Sequence, residues 1–371
     1  MKNLRKLLAL ILFCSLFLGG CWDQKTFEQV GLTLSFGIEL SESGKLLITS
    51  IYPVVGGQQT GEVDIISTET HIVRGGRTNI RLASPKLLEG GKVQQVLLSD
   101  SIAKEGVHDL LEVFQRDVTV PAITFVTIVE GSPAELLKKA SEFESKPRVS
   151  FYLYQLLENN VKLSNIPNTK IFDFDINYFS PGLDPIVPTI KLGKDIIQVT
   201  GCALFSKDKM TGKLNVKETN LLLGLLDQLK YSDFVLDDPE FLKEHDVKYG
   251  LAITFFKNKR KINIDFSEEG TPIVEINVKY RCSLDEYKWD KTIDPKVQED
   301  LEKKIGEQFT RISNNIIKKL QEANCDPIGI GDLIRAKYYD YWQSIDWKEV
   351  YQEAEIKANV EMEIGNVGII N

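Results

Sequence analysis

Apolar side chains recur at Val297, Leu301, Ile305, Phe309, Ile312, Ile316 and Leu320, every three or four positions. This spacing predicts one helix about 40 Å long at about 1.5 Å per residue, with a single apolar stripe and charged remaining faces. Such a helix must bury its stripe against another layer. Asp294-Pro295 supplies an N-cap and a proline at the first helical position, which sets its start. The neighbouring segments supply the layer. Ile273–Cys282 alternates, with Val274, Ile276, Val278 and Tyr280 on one face. Glu355–Ile364 alternates likewise through Ile356, Ala358, Val360, Met362 and Ile364. The C-terminal part is therefore expected to be a sheet crossed by a long helix.

The preceding chain also mixes strands and helices. Val30–Leu40 and Leu46–Val54 read as a hairpin around Gly44, and Val63–Val73 as a strand broken by Gly75-Gly76-Arg77-Thr78. Asn79–Leu88 is predicted as a short helix ended by Gly90-Gly91, Val93–Leu98 as a strand, and Ser101–Gln115 as a helix. Ile123–Val129 is almost wholly β-branched, and Ser132-Pro133-Ala134-Glu135 behind it has the form of a capping box. Strand followed by capped helix predicts an α+β (mixed α/β) layer rather than a β-sandwich. Pro181, Pro185 and Pro188 make Ser180–Lys191 a poor central strand. A domain boundary is placed there: residues 21–195 as an N-terminal α/β domain, then 196–371. The latter divides into a small middle domain (about 196–245) and a C-terminal α/β domain (about 246–371).

The N-terminus carries an address. Lys2, Arg5 and Lys6 precede Leu7–Leu18, in which Ser15 alone is polar, and Leu18-Gly19-Gly20-Cys21 follows. Twelve residues span roughly 18 Å as a helix, short of the roughly 30 Å hydrocarbon core. The layout is that of a lipoprotein signal peptide with a lipobox. Residues 1–20 are then removed, and Cys21 carries diacylglycerol and an N-acyl chain such as palmitate, two or more chains sufficing for stable anchoring. Losing three of the 45 basic residues against 53 acidic ones moves the net charge from −8 to about −11. An acidic body argues against nucleic acid as a partner.

Catalytic constellations are missing. His71, His108 and His245 are scattered, and no Walker loop, nucleophile elbow or dinucleotide fingerprint occurs. Gly75-Gly76-Arg77-Thr78 reads as a turn before it reads as an anion cradle. Asp173/Asp175 and Asp237/Asp238 lack the further oxygen ligands of a calcium loop and read as surface carboxylates. With Cys14 in the signal and Cys21 lipidated, Cys202, Cys282 and Cys325 remain. Their spacing fits no zinc site; reduced, buried thiols are expected, with one long-range disulfide as the alternative. Neither an enzyme, a metal nor a cofactor beyond the Cys21 lipid is expected. Trp22, beside Asp23, is either an interfacial anchor or a linker residue. Tyr338, Tyr339, Tyr341, Trp342 and Trp347 pack a core, or else Tyr338, Trp342 and Trp347 meet a partner. Asp326 and Gly331 are read as a cap and a turn.

Several of these motifs, in this order, resemble the Ger(x)C family, the lipoprotein C subunits of GerA-type nutrient germinant receptors. They are Leu18-Gly19-Gly20-Cys21-Trp22-Asp23; Val30–Ile38 with Glu39; Phe114-Gln115-Arg116-Asp117 before Ile123–Val129 and Gly131; Gly201-Cys202-Ala203-Leu204-Phe205; and Asp326-Pro327-Ile328-Gly329-Ile330-Gly331 leading to Tyr338, Trp342 and Trp347. Thr26 departs from the family's Glu, and Val93-Gln94-Gln95 stands where the family often has a His. The resemblance implies three successive α/β domains, each a β-sheet flanked by helices. It also implies a non-enzymatic subunit on the outer face of the spore inner membrane, partnered by integral-membrane A and B subunits and triggered by a small nutrient germinant. The alternative is a solute-binding lipoprotein of a transporter. A fold beginning within about ten residues of Cys21 favours the fixed complex.

Overall fold

The computed structural model describes residues 29–54, 63–143, 149–244, 250–286 and 295–367, together with Asn3, Leu4, Lys6 and Phe13. Cys21, Trp22, Asp23, His245, Asp294 and the loop 56–62 lie outside them. Among the described residues, fourteen strands are assigned in chain order: β1 Val30–Leu32, β2 Ser35–Leu40, β3 Leu46–Pro53, β4 Val63–Thr70, β5 Leu87–Glu89, β6 Gln95–Ser99, β7 Phe125–Val129, β8 Ile186–Leu192, β9 Ile197–Ser206, β10 Lys209–Asn215, β11 Ser232–Leu236, β12 Leu251–Phe266, β13 Pro272–Glu286 and β14 Glu355–Val367.

Eight of them form one sheet in the order β10-β9-β8-β7-β6-β2-β3-β4. Its centre, β8-β7-β6-β2, is parallel, and antiparallel hairpins extend both sides. A central parallel sheet needs cover on both faces. Helices Val73–Ala83, Asp100–Glu105, His108–Gln115 and Ile171–Phe179 pack one face around Ile38, Ile48, Val96 and Phe205. Helices Pro133–Ser141 and Val149–Lys162 cover the other around Ile51, Leu97, Phe125 and Val129. Ser132 Oγ accepts the Glu135 N–H at 3.0 Å, as the capping box predicts. The acid that completes this end is Glu39, which accepts from Ser132 Oγ and the Ala134 N–H, while Glu135 pairs with Lys139.

The second sheet, β11-β12-β13-β14, ends in a parallel β13–β14 pair, and helix Pro295–Glu322 makes the crossover. Leu301, Ile305, Phe309, Ile316 and Leu320 of that helix are buried, as are Val274, Ile276, Val278 and Tyr280 beneath it. The amphipathic stripe therefore meets the strand faces that the alternation assigns to it.

Several expectations change, among them the helix Asn79–Leu88, which starts earlier and gives way to β5. Gly75 and Gly76 lie inside helix Val73–Ala83, not in a turn. A Cβ at Gly76 would stand 2.7 Å from Ile48 Cδ1 and 3.0 Å from Thr70 Cγ2, so glycine lets the helix rest on β3 and β4. Helical propensity disfavours glycine by about 1 kcal/mol, which is why sequence reading places a break here. The predicted helix Ser101–Gln115 is split at Gly106, which has φ 134°. The proline-rich segment contributes β8, an interior strand. Pro188 is opposite Cys202 on β9, and the β7–β8 ladder comprises Ile128↔Thr189 and Val129↔Ile190, starting just past the proline. The missing N–H is thus not required by β7.

The expected boundary at 195/196 falls between two strands of one sheet, β8 and β9. Residues 197–215 join the first sheet and 232–236 the second, so the expected middle domain is divided between the two. A single core runs through the division, from Ile186, Cys202, Leu204 and Leu214 to Leu221–Leu225, Phe309 and Trp347.

Candidate functional site

Two loops meet where the sheets join: residues 180–185, before β8, and residues 323–329, after the long helix. Their backbones pair directly, the Asp184 N–H donating to Asp326 O at 2.9 Å and the Asp332 N–H to Gly182 O at 3.1 Å. Approach this close excludes side chains. A Cβ on Gly182 would be 2.4 Å from Asp332 N, and one on Gly331 would be 2.4 Å from Trp347 Nε1.

Two buried carboxylates lock the contact. Asp184 accepts from the Asp326 N–H at 2.8 Å, the Lys207 N–H at 3.1 Å and Lys348 Nζ at 2.5 Å. Lys348 also donates to Ser206 Oγ and Asn324 O. Lys207, at φ 59° in the β9–β10 turn, sends its ammonium to Ser180 O at 2.8 Å and Tyr178 O at 3.3 Å. These carbonyls end helix Ile171–Phe179, where a cation is favoured. Burial pushes the Lys207 ammonium below its ordinary pKa.

Asp326, 1% exposed, accepts from the Gly329 N–H (2.9 Å), the Gly331 N–H (2.9 Å) and Trp347 Nε1 (3.2 Å). The expected cap and turn is therefore present, with Gly329 at φ 77°. Burial pushes the Asp326 carboxyl up to about 7, against the lowering effect of the backbone donors. Because the folded value exceeds the unfolded one near 4, the folded state holds a proton that the unfolded chain releases. The resulting stabilisation is full below about pH 4 and is lost as pH rises through about 7, a change on the order of a few kcal/mol. Asp326→Asn is expected to flatten that slope in urea melts at pH 5 and pH 8. A slope like that of the unmodified chain would show that Asp326 does not titrate there.

Of the sequence-selected residues, Asp326, Gly331 and Trp347 are thus brought together. Trp347 is 4% exposed and its N–H is committed to Asp326, so it belongs to the core rather than to a partner surface. Trp342, partly buried, lies 6.1 Å from it, centroid to centroid. Tyr338 and Tyr341 donate to Ile264 O and Gly270 O, fastening the two short helices Ile330–Lys337 and Tyr339–Gln343 to β12 and the turn after it. Asp184, Lys207, Lys348 and Gly182 escape the sequence reading. The available signal is the repeated Asp-Pro-Ile tripeptide, at Asp184-Pro185-Ile186 and Asp326-Pro327-Ile328.

The other acidic pairs have local roles. Asp173 accepts the Lys170 N–H and Asp238 the Phe241 N–H, both at helix starts, and Asp237 pairs with Lys217. Asp175 is only partly solvated: its Oδ1 is buried 3.9 Å from His108 Nε2, and His108 stacks on Tyr178. Cys202, Cys282 and Cys325 are free and buried. Burial pushes the Cys202 and Cys282 thiols up to about 12 and raises Cys325, so none is poised as a nucleophile. Among the described residues no cluster could hold a metal, and no helix is long and apolar enough to cross a membrane.

Comparison with known proteins matches the chain to two family models. Residues 23–192 match the spore germination protein N-terminal domain, and residues 200–368 the "Spore germination B3/ GerAC like, C-terminal" family. Spore germination protein GerQC of Bacillus cereus is 25% identical over 97% of this chain and 98% of its own. Spore germination protein B3 of Bacillus subtilis (strain 168) is 23% identical, covering 98% of each. The crystal structure of the GerBC protein superposes with a TM-score of 0.59 at 18% identity, covering 89% of this chain and 97% of that one, and so shares the fold. With both family segments matched in order along it, the chain belongs to the Ger(x)C family of spore germination proteins.

Proposed function

We propose that this chain acts in spore germination as the lipid-anchored, non-enzymatic C subunit of a nutrient germinant receptor, held by Cys21 on the outer face of the spore inner membrane. Its partners are the integral-membrane A and B subunits. The observation that carries this reading is the tiling of residues 23–192 and 200–368 by two spore-germination family models, the first starting two residues after Cys21. The tether is short. From Cys21 to Val30, where β1 begins, a fully extended chain reaches about 30 Å. The inert, buried thiols and the structural use of Asp184, Asp326 and Lys348 support a non-catalytic body.

Cys21→Ala in the spore-former is expected to move the protein out of the membrane fraction and abolish nutrient-triggered germination through this receptor. Affinity purification through the unmodified chain is expected to recover two integral-membrane subunits. Germination that survives with an unanchored chain at normal abundance would remove the anchoring role.

A further inference from the structure

Helix Val73–Ala83 carries Arg74, Arg77 and Arg81 toward one side, and Arg116, at the end of helix His108–Gln115, faces them across a cleft of about 380 Å³. Four guanidiniums around one space run against the chain's acidic balance of −8. Like charges one helical turn apart cost a few tenths of a kcal/mol each, so the grouping is not explained by helix stability.

The cleft is also prepared. Arg77 is held by an ion pair to Asp117 and lies over the rings of Phe36 and Phe114, 5.6 and 5.8 Å from their centroids. Asp117 is fixed in turn by the Thr119 N–H at 2.9 Å and Thr119 Oγ1 at 2.7 Å. Burial acts to raise its carboxyl, but the Thr119 donors and Arg77 outweigh this and bring it down to about 2. Arg116 pairs with Glu112 at 2.6 Å. Two acids thus answer two of the four cations, and Arg74 and Arg81 extend exposed into the opening.

We propose that this cleft binds a phosphate-bearing ligand. A guanidinium offers a rigid fork of donors that matches phosphate oxygens, and a tetrahedral phosphate can engage forks from two elements at once, where a planar carboxylate fills one. Val118, on the rim, is 99% exposed, and Leu82, one turn after Thr78 of the cleft, is 82% exposed. Exposed apolar side chains beside a cationic cleft suit an amphiphilic phosphate. The position agrees: β1, where the tether ends, pairs with β5, four residues after the arginine helix. A membrane phospholipid headgroup and a soluble phosphate share this chemistry, and the lipid source alone depends on the anchored reading above.

The test is calorimetric titration of the full chain in neutral maltoside micelles with pyrophosphate, dihexanoylphosphatidylglycerol and, as the zwitterionic control, dihexanoylphosphatidylcholine. Saturable one-to-one binding of pyrophosphate or the glycerol lipid is expected, weakening with ionic strength. The double variant Arg74→Gln/Arg81→Gln, altered at exposed positions, is expected to bind at least about tenfold more weakly while melting like the unmodified chain. Binding of the glycerol lipid without pyrophosphate supports the headgroup source, and pyrophosphate binding at equal or higher affinity the soluble one. Absence of binding, or binding equal in the double variant, overturns the proposal whether or not the chain proves to be a receptor subunit.

Discussion

Alanine at Gly182 is expected to destabilise the protein by about 3 kcal/mol, the upper range for overpacking, because backbone rather than a movable side chain receives the new methyl. The added Cβ would stand 2.4 Å from both Asp332 N and Gly331 C, and 2.9 Å from Gly331 Cα. Relief requires the two loops to separate, which breaks the Asp332 N–H to Gly182 O bond and disturbs the donors around Asp326. Gly91→Ala is the control. Its Cβ meets Thr119 O at 3.6 Å, an ordinary contact, so it is expected to change stability by less than about 1 kcal/mol. Urea denaturation of the two variants measures the difference. Equal midpoints would mean that close backbone approach does not hold the sheets together.

Lys348→Met is expected to cost about 3 kcal/mol, the low end for removing one partner of a buried ion pair. Asp184 is 3% exposed as a side chain and Lys348 25%, so solvent does little to replace the lost ammonium. The cost stays at the low end because the Asp326 and Lys207 N–H groups still donate to Asp184. Pairing the change with Asp184→Asn closes a double-mutant cycle. A coupling energy above about 1 kcal/mol is expected, since the second substitution removes the charge that the first leaves stranded. Additive effects would show that Lys348 acts through its contacts with Ser206 and Asn324 instead.

Both predictions concern residues 142 to 164 positions apart in sequence, and this separation explains what sequence reading reached. Strand faces follow from a period of two, so the burial of Val274, Ile276, Val278 and Tyr280 was legible, as was the stripe of helix Pro295–Glu322. The Asp326 turn was legible because its donors, the Gly329 and Gly331 N–H groups, come from the same few residues. Asp184 gave no comparable sign: its partners Lys207, Asp326 and Lys348 come from three distant elements. Trp347 carried an ambiguous one, since an aromatic near the C-terminus suits a core by default but also an interface.

Local rules also failed where a neighbour altered the balance. Gly75 and Gly76 are poor helix formers, yet they lie in a helix because larger side chains would collide with Thr70 and Ile48. Ser180–Lys191 is poor in strand character by its prolines, yet β8 is interior because β7 begins to pair with it only past Pro188. The four arginines are visible one by one in the sequence, but no local pattern places Arg116 opposite Arg74 and Arg81.

By itself, then, the sequence determined the periodic elements, the acidic balance and the family resemblance, all properties written in neighbouring residues. The tertiary structure decided that residues 197–215 complete the first sheet, that one core joins it to the second, and that buried carboxylates and glycines lock the junction. These depend on which distant surfaces come within a few ångströms of each other. Steric exclusion and desolvation act at that range, and neither is encoded in spacing along the chain.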